Sequence, residues 1–311
     1  MGKIAFVFPG QGSQAVGMGK DVLDGGGRAG TFFERADRVV GFPLSGLMFG
    51  GPDEELKKTF NAQPALVTVS CALLSLIEDA GIRPDLVAGH SLGEYSALVA
   101  AGAMAFEDAV RTVRRRGELM EQAVPDGQGG MAAVLGMERD ALVALCRDVS
   151  ASAGLVEPAN FNCPGQIVVS GTRAGIEAVI ARGREAGARR IVPLEVSGPF
   201  HSSLMAPAAD GLKEVLAALS LRDADVPVVA NVTAEPVRDA ETIRRLLAEQ
   251  VTSPVLWEDS VRRMLDLSVD TFAEIGPGSV LTGLIRKIDR GVRVFTVNSP
   301  EAAEAFIREV S

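Results

Sequence analysis

The sequence predicts an α/β fold built on a mostly parallel sheet, with a smaller unit inserted into it. Three observations carry this. Short apolar runs that stop at Gly or Pro alternate with longer stretches of helical spacing. Each run hands the chain to a glycine-containing or polar loop, as strands of an open α/β sheet do at the edge where sites form. Between about residues 128 and 196 the rhythm changes to strands separated by single helices and one tight turn.

Taken in order, the run 4–8 ends at Pro9-Gly10, and 86–89 ends in a glycine-rich turn. The run 226–230 ends at Asn231, and 271–275 ends at Gly276-Pro277-Gly278. Residues 31–40 read as a helix. In the middle, 131–135 reads as a strand and 139–149 as a helix. Strands 155–159 and 167–170 follow, joined around Pro164-Gly165, then a helix over 174–186 and a strand over 190–196. That β-α-β-β-α-β order is ferredoxin-like. Gln128-Gly129-Gly130 and Ser197-Gly198-Pro199 read as hinges. The division is therefore a large domain of residues 1–127 and 197–311 carrying a small domain of residues 128–196.

Composition narrows the function classes. Apolar residues make up 47% of the 311, enough to fill a sizeable core, while one Trp and one Tyr are too few for a nucleic-acid stacking platform. The 40 acidic residues exceed the 31 basic ones, and a net charge of −9 argues against nucleic-acid or anionic-membrane partners. Cys71, Cys146 and Cys163 are widely spaced and odd in number, which predicts reduced thiols and neither a disulfide framework nor a metal site. The start of the chain lacks the pattern of a signal peptide. The apolar segments 65–77 and 97–106 read as too short or too interrupted to span a bilayer. These features together predict a cytoplasmic protein.

The chemistry starts at Gly89-His90-Ser91-Leu92-Gly93, a Gly-x-Ser-x-Gly between a predicted strand and a predicted helix. The glycines allow a turn in which a Cβ would clash, and the turn exposes the serine hydroxyl. The N–H of Leu92 and the start of the helix then face developing negative charge, so the arrangement implies acyl chemistry through Ser91. A serine hydroxyl needs a base, and the chain has only two histidines. His90 lies inside the turn and should point away from the serine, in a packing or turn-support role. His201, in Ser197-Gly198-Pro199-Phe200-His201-Ser202, follows a Gly-Pro loop and becomes the expected base. No acidic residue stands out as third member, and a backbone or amide oxygen would serve equally.

The loop Gly10-Gln11-Gly12-Ser13-Gln14-Ala15 fits two readings. It matches Gly-x-Gly-x-x-Ala after a strand, but a dinucleotide site needs a second strand about 20 residues on, where residues 31–40 read as a helix. It better suits a second oxyanion donor, the N–H of Gln11, because acyl-transfer sites use two. Farther on, Phe106, Ala109, Val110, Val113, Gly117 and Met120 form an apolar stripe. Arg115 points away from it, and Arg114 and Arg116 flank it on opposite edges, so that both could reach inward.

Several motifs occur together and in order. They are Gly10-Gln11-Gly12-Ser13, the elbow followed by Glu94-Tyr95, Asn160-Phe161-Asn162 with Pro164-Gly165-Gln166, Gly198-Pro199-Phe200-His201, and Glu274-Ile275-Gly276-Pro277-Gly278. In this combination nearly the whole chain resembles the malonyl-CoA:acyl carrier protein transacylases of bacterial type II fatty-acid synthesis. The resemblance implies an α/β-hydrolase-like large domain with a ferredoxin-like insert and the site in the cleft between them. It implies Ser91 as nucleophile, His201 as base, the N–H groups of Gln11 and Leu92 as oxyanion hole, and Gln250 as the residue whose carbonyl orients the histidine. It places Arg116 on the acyl carboxylate, with Met120, Asn160 and Phe200 beside the substrate; the ring of Phe200 leaves no room for a 2-methyl branch. Malonyl-CoA and acyl carrier protein are the implied partners of an enzyme that is a monomer and needs no metal or cofactor. Arg182, Arg184, Arg189, Arg190, Arg286, Lys287 and Arg290 are candidates for docking the acidic carrier protein. A malonyl transferase for a polyketide synthase, a serine thioesterase or esterase, and a non-catalytic docking module are the other readings.

Overall fold

The computed structural model describes residues 2–311. In chain order its strands are β1 (Lys3–Phe8), β2 (Leu86–Gly89), β3 (Gly129–Leu135), β4 (Val156–Cys163), β5 (Gln166–Thr172), β6 (Arg190–Pro193), β7 (Val228–Val229), β8 (Pro236–Val237), β9 (Val269–Ile275) and β10 (Arg293–Val297). The first sheet has the order β10-β9-β1-β2-β7-β8. All its pairings are parallel except β7 with β8. The second has the order β4-β5-β3-β6 and is antiparallel throughout. The fold is thus α/β, with a mostly parallel sheet and a ferredoxin-like insert.

The period of two explains why the parallel sheet is buried on both faces. Phe6 and Phe8 of β1 join one core with Val87, Ala273 and Ile275, while Ala5 and Val7 join a second with Leu86, Ala88 and Phe272. Helices Gly27–Val40, Thr59–Asp79 and Phe106–Gln122 cover the first face, and Trp257–Asp266 and Val280–Ile288 the second.

Several sequence expectations are corrected. Helix Thr59–Asp79 runs for 21 residues and is long and apolar enough to cross a membrane by length and composition, although 89% of its most apolar window is buried inside the protein. Tertiary packing on both sides uses the surface that lipid would otherwise cover. Strand 226–230 shrinks to Val228–Val229, and β8 and β10 were not anticipated. Strand β4 continues through Asn160 and Asn162 to Cys163, with register shifts between Pro158 and Asn160 and between Phe161 and Cys163. The expected hinge at Gly129-Gly130 is instead ladder, paired with Thr172 and Gly171. A Cβ on Gly129 would stand 2.5 Å from the Pro199 ring, so the two ends of the insert pack against each other.

Glycine is also required where helix Phe106–Gln122 crosses the start of Thr59–Asp79. A Cβ on Gly117 would stand 2.5 Å from Phe60 Cα, a backbone atom that cannot rotate away. Overpacking should outweigh the gain in helix propensity. Gly117→Ala is expected to lose about 1–2 kcal/mol of stability, read as a lower urea midpoint at unchanged m-value. An unchanged midpoint would show that the helices separate freely.

Candidate active site

Strand β2 ends at Gly89, and helix Gly93–Ala100 begins two residues after Ser91. Ser91 sits at φ 50°, a left-handed conformation unusual for a residue with a side chain. A Cβ on Gly89 would collide with the backbone of Gly93 and Glu94, and one on Gly93 with the Phe8 carbonyl. Both flanking glycines are therefore needed for the turn to close. Beyond its own backbone bonds, three hydrogen bonds with side chains brace it. Ser91 N–H donates to Asn231 Oδ1 (2.6 Å), Asn231 Nδ2 donates to the Gly89 carbonyl (2.6 Å), and Gln250 Nε2 donates to the Ser91 carbonyl (3.0 Å).

His201 is 110 residues away in sequence, yet its Nε2 lies 2.7 Å from Ser91 Oγ. Its Nδ1 lies 2.9 Å from the backbone carbonyl of Gln250. A carbonyl only accepts, so Nδ1 carries the proton and Nε2 presents its lone pair to the serine hydroxyl. The third member left open by the sequence is thus a backbone oxygen. His201 also has positive φ, 59°, just before the short 3-10 turn Ser203–Met205. Burial and the neighbouring Arg116 charge drive its pKa down to about 3.

Arg116 is 1% exposed and donates only to uncharged acceptors. Nη1 donates to Gln63 Oε1 (2.9 Å), and Nη2 donates to Gln250 Oε1 (2.9 Å) and Ser91 Oγ (3.1 Å). Its Nε–H has no partner, and its guanidinium carbon lies 5.8 Å from the Tyr95 ring centroid. Arg114 turns the other way, to Glu118, Asn61 and the Phe60 carbonyl. The stripe could not separate these two arginines; the packing does.

A cleft of about 440 Å³ opens over Ser91. Gln11, Leu92, Arg116, Met120, Asn160, Phe200 and His201 line it, with Met131, Leu194 and Val196 from the insert and its exit. Among the described residues, the N–H groups of Gln11 and Leu92 donate to no protein acceptor. A Cβ on Gly10 would stand 2.6 Å from the His90 carbonyl, so the first loop lies directly against the elbow. His90 turns from the serine to Asn162 Oδ1 (2.9 Å) and packs near Trp257. No second strand stands where a dinucleotide fold requires one, because Gly27–Val40 is helix. Among the described residues no cluster of metal-ligating side chains occurs.

Sequence reasoning missed Asn231 and Glu94. Asn231 follows β7 and holds both sides of the elbow. The only signal was a polar residue ending an apolar run. Gln63, on helix Thr59–Asp79, carried none.

A hydroxyl bonded to a neutral imidazole, beside two free N–H groups, defines a serine acyl-transfer site. The chain matches the family described as acyl transferase domain over residues 5–305. It is 53% identical to the malonyl CoA-acyl carrier protein transacylase of Bacillus subtilis (strain 168) over 308 residues, covering 99% of this chain and 97% of that one. An acyl carrier protein S-malonyltransferase from Vibrio cholerae superposes with TM-score 0.95 at 42% identity, over 98% of this chain and 99% of that one. A malonyl-transacylase solved in complex with its type II polyketide acyl-carrier protein superposes with TM-score 0.96 at 40% identity, over 99% of both chains. The chain belongs to the acyl transferase family and, within it, to the malonyl CoA-acyl carrier protein transacylases.

The depressed pKa of His201 has a direct consequence. Its folded value lies below that of a free imidazole, so the folded protein resists the proton that the unfolded chain accepts below about pH 6.5. NMR of the imidazole is expected to show no protonation from about pH 8 to about pH 5. A midpoint between about pH 6 and 7 would contradict the burial and Arg116 charge as its controlling influences.

Proposed function

We propose that this enzyme moves malonyl groups from malonyl-CoA to the phosphopantetheine thiol of acyl carrier protein through an ester on Ser91, supplying fatty-acid synthesis. The observation that carries this reading is Arg116. A buried guanidinium with no carboxylate partner, 3.1 Å from the serine oxygen, is of no use to a simple esterase. It suits an acyl group that ends in a carboxylate, which a guanidinium binds through two parallel bonds.

His201 takes the Ser91 proton as the oxygen attacks the thioester carbonyl. The tetrahedral oxyanion accepts from the N–H groups of Gln11 and Leu92. Coenzyme A leaves with the proton held on His201. Arg116 keeps the malonyl carboxylate in place on the ester, and Met120, Asn160 and Phe200 shape the acyl space. The carrier thiol then attacks, with His201 again the base, and Ser91 is regenerated. The coenzyme A thioester is substrate, every proton is accounted for by protein groups, and we assign no metal or other cofactor.

We take residues 128–196 as the small domain and residues 1–127 and 197–311 as the catalytic body. For carrier docking we favour the rim where the insert meets helix Val280–Ile288. There Lys287 Nζ donates to Gln166 Oε1 (3.3 Å), and Gly136, bonded to the Gly165 carbonyl, lies against Arg189. Three free, buried thiols accord with a cytoplasmic location.

Incubation with malonyl-CoA and carrier protein is expected to yield malonyl-carrier product; mostly free malonate would indicate a thioesterase. Mass spectrometry without carrier protein should find one malonyl adduct on Ser91, absent in Ser91→Ala. An unmodified wild-type serine would leave only a docking module. Arg116→Ala is expected to lose on the order of tenfold to hundredfold in kcat/KM for malonyl-CoA while affecting acetyl-CoA far less. Equal losses on both donors would remove Arg116 from carboxylate recognition.

A further inference from the structure

We propose that Glu94 is a positioning residue for acyl recognition: its buried carboxylate holds the Gln250 amide in the orientation that aims Arg116 at the acyl group, and supplies the counter-charge of Arg116 from a distance. The proposal rests on the malonyl-transfer reading above.

Glu94 is the second residue of helix Gly93–Ala100 and is 3% exposed. The transfer scheme does not use it. Its Oε2 accepts from the Asn231 backbone N–H (3.1 Å) and from Gln250 Nε2 (2.8 Å). These two residues hold the rest of the site. Asn231 carries the Ser91 N–H and the Gly89 carbonyl. Gln250 carries the Ser91 carbonyl, the His201 ring through its backbone, and Arg116.

A side-chain amide can fill the same space either way round. As it stands, Gln250 Oε1 faces a guanidinium, and Nε2 faces two acceptors, Glu94 Oε2 and the Ser91 carbonyl. Turned over, its NH₂ would face the cation and its oxygen would face both acceptors. A charged carboxylate makes that second state far worse than a neutral acceptor would. The observed orientation keeps an acceptor on Arg116 Nη2 and so fixes the plane of the fork.

The charge has a second effect. Among the described residues Arg116 forms no ion pair, and Glu94, one amide farther out, is the carboxylate that couples to it electrostatically. A directly paired carboxylate would occupy the fork and compete with substrate. A carboxylate behind Gln250 offsets the buried charge without itself taking an Arg116 donor, so that only neutral acceptors, the Ser91 hydroxyl among them, stand where an acyl carboxylate would bind. Arg116 from helix Phe106–Gln122 and Tyr95 from its own helix are the ionisable groups coupled to Glu94, and His201 lies beyond Gln250. Burial pushes the Glu94 carboxyl up to about 7, against the Gln250 and Asn231 hydrogen bonds and the Arg116 charge.

Glu94→Gln keeps the volume and an acceptor, removes the charge and lets both amides turn. For E94Q, kcat/KM with malonyl-CoA is expected to fall about tenfold more than with acetyl-CoA, chiefly through KM. In the wild type that preference should also fall from about pH 8 to about pH 5.5, as Glu94 gains its proton while His201 does not, and E94Q should show no such pH dependence. An unchanged preference and pH profile in E94Q, or equal losses on both donors alongside a lowered Tm, would overturn the proposal. If E94Q does not fold, the wild-type profile decides, and a flat malonyl preference overturns it. A wild-type enzyme that transfers no malonyl group would instead sink the transfer reading itself.

Discussion

A guanidinium buried beside the nucleophile without a carboxylate against it is the constraint on which the rest of the site depends. Removing such a charge from water is expensive, and in most interiors it is offset by a direct ion pair. Here the Arg116 charge is spread over Gln63, Gln250 and the Ser91 hydroxyl, with the Tyr95 ring nearby. Its effect on the catalytic pair follows from Coulomb attraction and repulsion. The cation donates to the oxygen that must become a nucleophile, and it disfavours a second positive charge on His201. The imidazole therefore rests neutral near neutral pH, with its Nε2 lone pair on the serine hydroxyl.

The backbone around that charge is strained where chemistry requires it. Ser91 and His201 both adopt positive φ, at a cost of about 1–3 kcal/mol each. Neither could hold that geometry on its own loop. Asn231 and Gln250 supply the restraint, each from a different part of the chain, with short bonds to the elbow and to the imidazole. Gln250 is the shared element: its backbone fixes the base, and its side chain fixes both the nucleophile's carbonyl and the arginine. That sharing ties the geometry of the Ser91–His201 pair to that of Arg116.

Much of the fold was readable because its signals are local. Strands 4–8 and 86–89 are short apolar runs closed by Pro or Gly, and each appears within a residue of its expected span. The insert was readable because its two helices and the tight turn at Pro164-Gly165 interrupt the parallel rhythm. Strands β7 and β8 have only two residues each, and β10 lies half-buried at the sheet edge, so their patterns are too brief or too mixed to register. Helix Thr59–Asp79 shows the opposite failure. It is apolar nearly all round because it is packed nearly all round, and periodicity is lost when there is no polar face.

By itself the sequence determined the elbow, because two glycines around a serine act within five residues, and it narrowed the base to His201, because only two histidines exist. Through resemblance it also pointed to Arg116 and Gln250. Only the tertiary structure decided which arginine turns inward, since Arg114 and Arg116 differ by two positions on one helix and their fates depend on Phe60, Asn61, Gln63 and Gln250. It set the Gln250 carbonyl 2.9 Å from the His201 ring, and it alone brought Glu94 and Asn231 into the network. Hydrogen bonds between residues 49 to 159 positions apart leave no period and no spacing in a sequence; they exist once the sheet has carried its loops to one edge.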